Sequence, residues 1–132
     1  MKLNSPVSSW AKFEKQIRKR DNRLLARLDD FPGSILVAGC QRSGTTAITR
    51  ILREAIGMPP FSITRDDELD GALILYGHAS SEFRGRCCFQ TTYVNERVTE
   101  YSEHDDFKLA WVIRNPHAVV SSMLYHWRRG AL

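Results

Sequence analysis

The sequence predicts an α/β fold, a parallel sheet flanked by helices, and three observations carry that expectation. Ile35-Leu36-Val37-Ala38 and Leu109-Ala110-Trp111-Val112-Ile113 are short, continuous apolar runs rich in branched residues, as buried parallel strands are. Each run leads into turn residues and then into apolar residues at helical spacing. Strands that alternate with helices build parallel sheets.

In chain order, the first expected helix spans Trp10 to Leu28, with Trp10, Phe13, Ile17, Leu24 and Leu28 near helical spacing. Ser8 or Ser9 can cap it, and Phe31-Pro32-Gly33 turns the chain into the strand at Ile35. After a glycine-bounded loop, Ile48, Ile51, Leu52, Ala55 and Ile56 line one face of a second helix. Gly57 ends this helix and Pro59-Pro60 blocks its resumption. Phe61-Ser62-Ile63-Thr64 reads as a short strand, and Asp66-Asp67-Glu68-Leu69-Asp70 as a loop or helix start. Leu73 to Tyr76 fits helix and strand equally. Cys87 to Val94 reads as a strand by its β-branched and aromatic content, and Val94 to Glu103 as a short helix or loop. Lys108 to Ile113 is the second clear strand. Asn115-Pro116 then supplies a cap and a proline at the first helical position, ahead of Val119, Val120, Met123, Leu124 and Trp127.

Composition narrows the function classes. The 132 residues fit one domain, and 42% apolar with 26% charged residues excludes a disordered or low-complexity chain. No apolar run approaches the roughly 20 residues that span a bilayer, and no apolar stretch of a secretory signal follows Lys2. Three cysteines, two of them adjacent at Cys87 and Cys88, make no disulfide framework and imply a reducing compartment, so a cytoplasmic location is expected. Residues 1–27 carry eight Lys/Arg against Glu14 and Asp21, a net +6 that leaves the remainder of the +4 chain at −2. Such an arm fits an anionic partner or a solvated helix face. Two regions follow: residues 1–33, a basic amphipathic helix, and residues 34–132, the α/β part that holds both strand runs.

The stretch Gly39-Cys40-Gln41-Arg42-Ser43-Gly44-Thr45-Thr46 carries the strongest chemical signal. A buried strand enters a glycine-bounded loop and a helix follows at once. Backbone N–H groups of such a loop converge on an anion at the positive end of the helix. The spacing is that of a Walker A loop, yet Thr45 stands at the lysine position and the cation has moved to Arg42. That change argues against an ordinary ATP or GTP hydrolase. Cys40 reads as a small buried spacer in this loop. Arg114 ends the second clear strand, where open α/β sheets bind ligands. A kinase would place a metal-binding aspartate there. Ser121 and Ser122 lie two turns into the next helix and can reach back toward the same anion.

Together these residues resemble the sulfotransferases that use 3′-phosphoadenosine 5′-phosphosulfate (PAPS). Gln41-Arg42-Ser43-Gly44-Thr45-Thr46 looks like that family's 5′-phosphosulfate loop. Arg114-Asn115-Pro116 with Val119-Val120-Ser121-Ser122 looks like its 3′-phosphate motif, an arginine paired with a serine eight residues on. The resemblance spans Ile35 to Arg129 and implies a P-loop-like fold, a PAPS donor, no metal, and sulfuryl transfer to a hydroxyl or amine. Arg42 would bind the phosphosulfate and stabilise charge on the leaving oxygen. Gln41, Ser43, Gly44, Thr45 and Thr46 would complete the 5′-phosphate cradle, and Arg114 and Ser122 would hold the 3′-phosphate.

Many cytosolic members carry Lys-Thr-His on the preceding strand. Gln90-Thr91-Thr92 stands at that place, so neither the histidine base nor the lysine carries over. Other branches use a glutamate downstream of the loop, which makes Glu68 the leading base, with His78 and His104 as alternatives. The family continues past the 3′-phosphate helix. A sheet incomplete at its C-terminal end is therefore expected after Gly130-Ala131-Leu132, with weak donor binding, little turnover and self-association through exposed apolar surface. The acceptor is expected to be a small molecule, carbohydrate, lipid or peptide, with no nucleic-acid partner and no membrane span. A P-loop kinase and a non-catalytic anion-binding module are the alternative readings.

Overall fold

The computed structural model describes residues 2–3, 30–59, 67–80, 82, 84–93, 95–102 and 108–129. In chain order the elements are β1 (Lys2–Leu3), β2 (Ile35–Gly39), α1 (Thr45–Ile56), α2 (Asp67–Leu75), β3 (Ala79–Ser80) and β4 (Cys88–Gln90). A 3-10 turn (Asn95–Arg97) leads into α3 (Val98–Ser102), followed by β5 (Lys108–Val112) and α4 (Pro116–Arg128). The helix expected at Trp10 to Leu28, the strand expected at Phe61 to Thr64, and His104 lie outside the described residues.

The expected parallel sheet is present, in the order β4-β2-β5. β2 is central and pairs in parallel with both neighbours, Leu36 opposite Phe89 on one side and Leu109 on the other. Its side chains alternate between two apolar layers, as a strand buried on both faces requires. Leu36 and Ala38 enter a cluster with Phe31, Ala72 to Tyr76, Cys87 and Phe89. Val37 faces the other way, with Cys88 and Met58, and Leu52 of α1 packs at its edge. Helices thus cover β2 from both sides. Phe31 and Phe89 meet edge to face at 5.1 Å between ring centres, a geometry that aromatic quadrupoles favour. β1 and β3 form a separate two-residue antiparallel ladder.

The stretch from Leu73 resolves as helix. Asp70 to Tyr76 is buried on every side, and Gly71 lets α2 lie directly on β4. A Cβ there would stand 3.2 Å from the Gln90 carbonyl oxygen. The acidic stretch is a helix start, and the strand expected from Cys87 to Val94 is limited to Cys88–Gln90.

Burial corrects three expectations. β5 is an edge strand rather than a buried one, because β2 covers one side and no strand among the described residues covers the other. Trp111 is accordingly exposed and Ile113 lies 86% exposed. Of the apolar stripe of α1, Leu52 packs against the Val37 cluster. Thr45 and Thr49 point into the protein, while Ile48, Ile51 and Ile56 are exposed. On α4 only Val119 is buried, and Val120, Leu124 and Trp127 are exposed. No helix among the described residues is long and apolar enough to cross a membrane.

Candidate anion-binding site

The site starts where β2 ends. Gly39 has φ +150°, and a Cβ on it would meet the Val112 carbonyl oxygen at 2.5 Å. Only glycine lets the chain leave β2 this close to β5. Asn95 donates from Nδ2 to the Gly39 carbonyl at 2.6 Å and fixes the loop's entry. The Ser43 N–H closes a turn onto the Cys40 carbonyl at 3.0 Å. Arg42 sits inside this turn at φ 66°, a left-handed conformation that is uncommon for a residue with a side chain.

Gly44, at φ 103°, precedes α1, and no side chain caps the helix. The first intrahelical bond runs from the Ile48 N–H to the Gly44 carbonyl. The N–H groups of Thr45, Thr46 and Ala47 therefore have no acceptor within the helix. The first turn contains no acidic residue. The positive end of α1 consequently opens into a cleft of about 270 Å³, where an anion gains from both the dipole and the free donors.

The cleft gathers most of the residues expected from sequence. Gln41, Arg42, Gly44, Thr45 and Thr46 line it from the loop and helix, Glu68 from α2 and Arg114 from the end of β5. Two residues outside the expected set, Ala47 and Thr92, complete the wall. Ser43 does not line it. Its hydroxyl is buried and makes no hydrogen bond among the described residues. Ser122 is joined to the site through Arg42, whose Nε donates to Ser122 Oγ at 3.3 Å. Arg114 Nη1 donates to the Arg42 carbonyl at 3.1 Å. One arginine is thus held at its backbone by Arg114, from the connection after β5, and at its side chain by α4.

Sequence reasoning missed His126. Its Nε2 contacts Arg42 Nη2, and since guanidinium can only donate, the imidazole accepts. Its signal was its place four residues after Ser122, on the same helical face. Gln90 was noted only for what it replaces, yet it donates from Nε2 to Thr46 Oγ1 at 2.8 Å.

Cys40 corrects a further expectation: it is exposed in the loop, not a buried spacer. Cys87 and Cys88 are the buried thiols. Burial pushes Cys87 up to about 12 against a partial pull from the Ser34 hydroxyl. Burial also raises Cys88, against the opposing charge of Arg53. His78, an alternative base, stacks on Tyr76 and does not line the cleft.

No protein-family model, curated protein or solved structure matches the chain. Its residues alone define what the site can bind. Two arginines and an uncapped helix end against a single carboxylate favour a phosphate-bearing ligand. At about 270 Å³ the cleft is smaller than the roughly 300–1,000 Å³ typical of whole-ligand pockets.

Proposed function

We propose that the chain forms the P-loop-like donor-binding part of a PAPS-dependent sulfotransferase, which moves a sulfuryl group to a hydroxyl or amine. The observation that carries this reading is the convergence on Arg42. The loop residue Arg42, the strand-end residue Arg114 and the helix residue Ser122 meet beside an uncapped helix N-terminus. This is the set that the two sequence motifs would have to bring together.

PAPS would supply an activated sulfuryl group on a 5′-phosphate leaving group. The chain's own residues then have distinct tasks. The α1 N–H groups and the Thr45 and Thr46 hydroxyls orient the 5′-phosphate and offset its charge. Arg42, in reach of the same cleft, stabilises charge on the oxygen that leaves. Glu68 also lines the cleft and would accept the proton of an attacking hydroxyl or amine. Arg114 and Ser122 distinguish a 3′-phosphorylated donor from ATP.

Arg114→Ala tests the assignment. Calorimetric titration with adenosine 3′,5′-bisphosphate beside adenosine 5′-monophosphate is expected to show a selective loss, with bisphosphate affinity falling about tenfold or more and monophosphate affinity little changed. Equal losses for both nucleotides would remove Arg114 from any 3′-phosphate role.

A further inference from the structure

Thr46 occupies the position at which a Walker A loop supplies a hydroxyl to Mg²⁺. In this chain the hydroxyl meets a buried amide instead. Gln90 closes β4, is 2% exposed, and donates from Nε2 to Thr46 Oγ1 at 2.8 Å and, more weakly, to Thr45 Oγ1 at 3.4 Å. Its main chain is clamped. β4 pairs Gln90 with Val37, the next N–H binds the Val37 carbonyl at 3.1 Å, and α2 presses on the Gln90 carbonyl at Gly71. The amide therefore approaches the threonines from one fixed direction.

That direction sets the polarity of the loop. A hydroxyl has one hydrogen and two lone pairs. When Thr46 Oγ1 accepts from Gln90, its hydrogen is free to turn outward, toward the cleft. A cation placed in front would have one lone pair left to it, with the positive end of the amide dipole behind that oxygen. An anion would find a donor. The opposite amide orientation would leave two buried donors in place of the single unbonded Oε1, and buried orphan N–H groups are the rarer of the two.

We infer that Gln90 is a specificity-determining positioning residue, which sets the Thr46 hydroxyl as a phosphate donor and keeps this loop from acting as a Mg²⁺·nucleotide site. The inference rests on the proposed anion-binding reading of the cleft, but it concerns metal dependence rather than the 3′-phosphate.

The full chain, Gln90→Glu and Gln90→Leu are titrated with adenosine 3′,5′-bisphosphate and with adenosine 5′-monophosphate, each with and without Mg²⁺. The native chain is expected to bind without metal and to gain nothing from Mg²⁺. In Gln90→Glu the carboxylate accepts the Thr46 hydrogen, so metal-free affinity falls about tenfold or more and added Mg²⁺ restores part of it. Gln90→Leu loses affinity without acquiring Mg²⁺ dependence. Because a buried carboxylate can unfold the chain, Thr46→Val is measured alone and with Gln90→Leu. The double variant is expected to lose no more affinity than Thr46→Val alone.

Unchanged binding in folded Gln90 variants, or full additivity with Thr46→Val, would overturn the inference while leaving a 3′-phosphate preference intact. Loss of both nucleotides in Gln90→Glu, from a native chain that binds them equally without metal, would uphold the inference and sink the sulfotransferase reading. A native chain that binds only with Mg²⁺ overturns both.

Discussion

The two strand–loop–helix units of this molecule, β2 to α1 and β5 to α4, share a plan and solve its last step differently. In the second, Asn115 accepts the His117 N–H at 2.9 Å and Pro116 removes another donor, so of the first-turn donors only the Ala118 N–H lacks an acceptor within the helix. In the first, Gly44 offers no side chain and the helix end is left open. An open end costs stability unless something binds there. The self-capped unit instead contributes side chains to its neighbour, Arg114 to the loop backbone and Ser122 and His126 to Arg42. One unit is built as the receptor and the other as its support.

The contrast is broken most strongly at Gly39. A Cβ there collides with the Val112 backbone and the φ is unfavourable for alanine. Gly39→Ala is expected to destabilise by about 3 kcal/mol, read as a lowered denaturant midpoint, and to abolish nucleotide binding with it. Arg42→Ala leaves the fold standing and removes the loop's cation. Affinity for adenosine 3′,5′-bisphosphate is expected to fall about a hundredfold, the scale of lost hydrogen bonds to a charged group. Asn115→Ala sharpens the comparison from the other side. It should cost about 1 kcal/mol of stability as a lost cap and leave affinity within about twofold.

The smallest effect concerns the thiols. Cys40 is exposed and is expected to react with a thiol reagent in the native state, while Cys87 and Cys88 react only on unfolding. Between pH 9.0, the ordinary thiol value, and about 12 the unfolded chain has released the Cys87 proton that the folded chain keeps. Stability therefore falls as pH rises through that window and is untouched by this group below it. A denaturation series across alkaline pH on Cys87→Ala beside the native chain reads the difference.

What was legible in the sequence was local. The run Ile35 to Ala38, the glycine-bounded loop and the Asn115-Pro116 cap each announce their structure within a few residues, and each stands where expected. The cleft residues Gln41, Arg42, Gly44, Thr45 and Thr46 followed from the same loop, and Arg114 from its place just past a strand. Burial was not legible. The stripe Ile48, Ile51, Leu52, Ala55 and Ile56 specifies a face of α1 but not what covers it: Leu52 packs on the Val37 cluster, Ile48, Ile51 and Ile56 stay exposed, and Thr45 and Thr49 are buried. α2 resisted assignment because its stretch from Asp70 to Leu75 is buried all round and has no polar face to set a period. Gln90 and His126 join the site across 44 and 84 residues of chain, a juxtaposition that only the folded sheet produces.

The most direct test of the central claim, that the open end of α1 and its flanking arginines hold a 3′-phosphorylated nucleotide, is a calorimetric titration of the native chain. Adenosine 3′,5′-bisphosphate and Mg·ATP are compared at matched salt. Saturable binding that prefers the bisphosphate is the predicted result. A preference for Mg·ATP, or no binding of either by the folded chain, would contradict it.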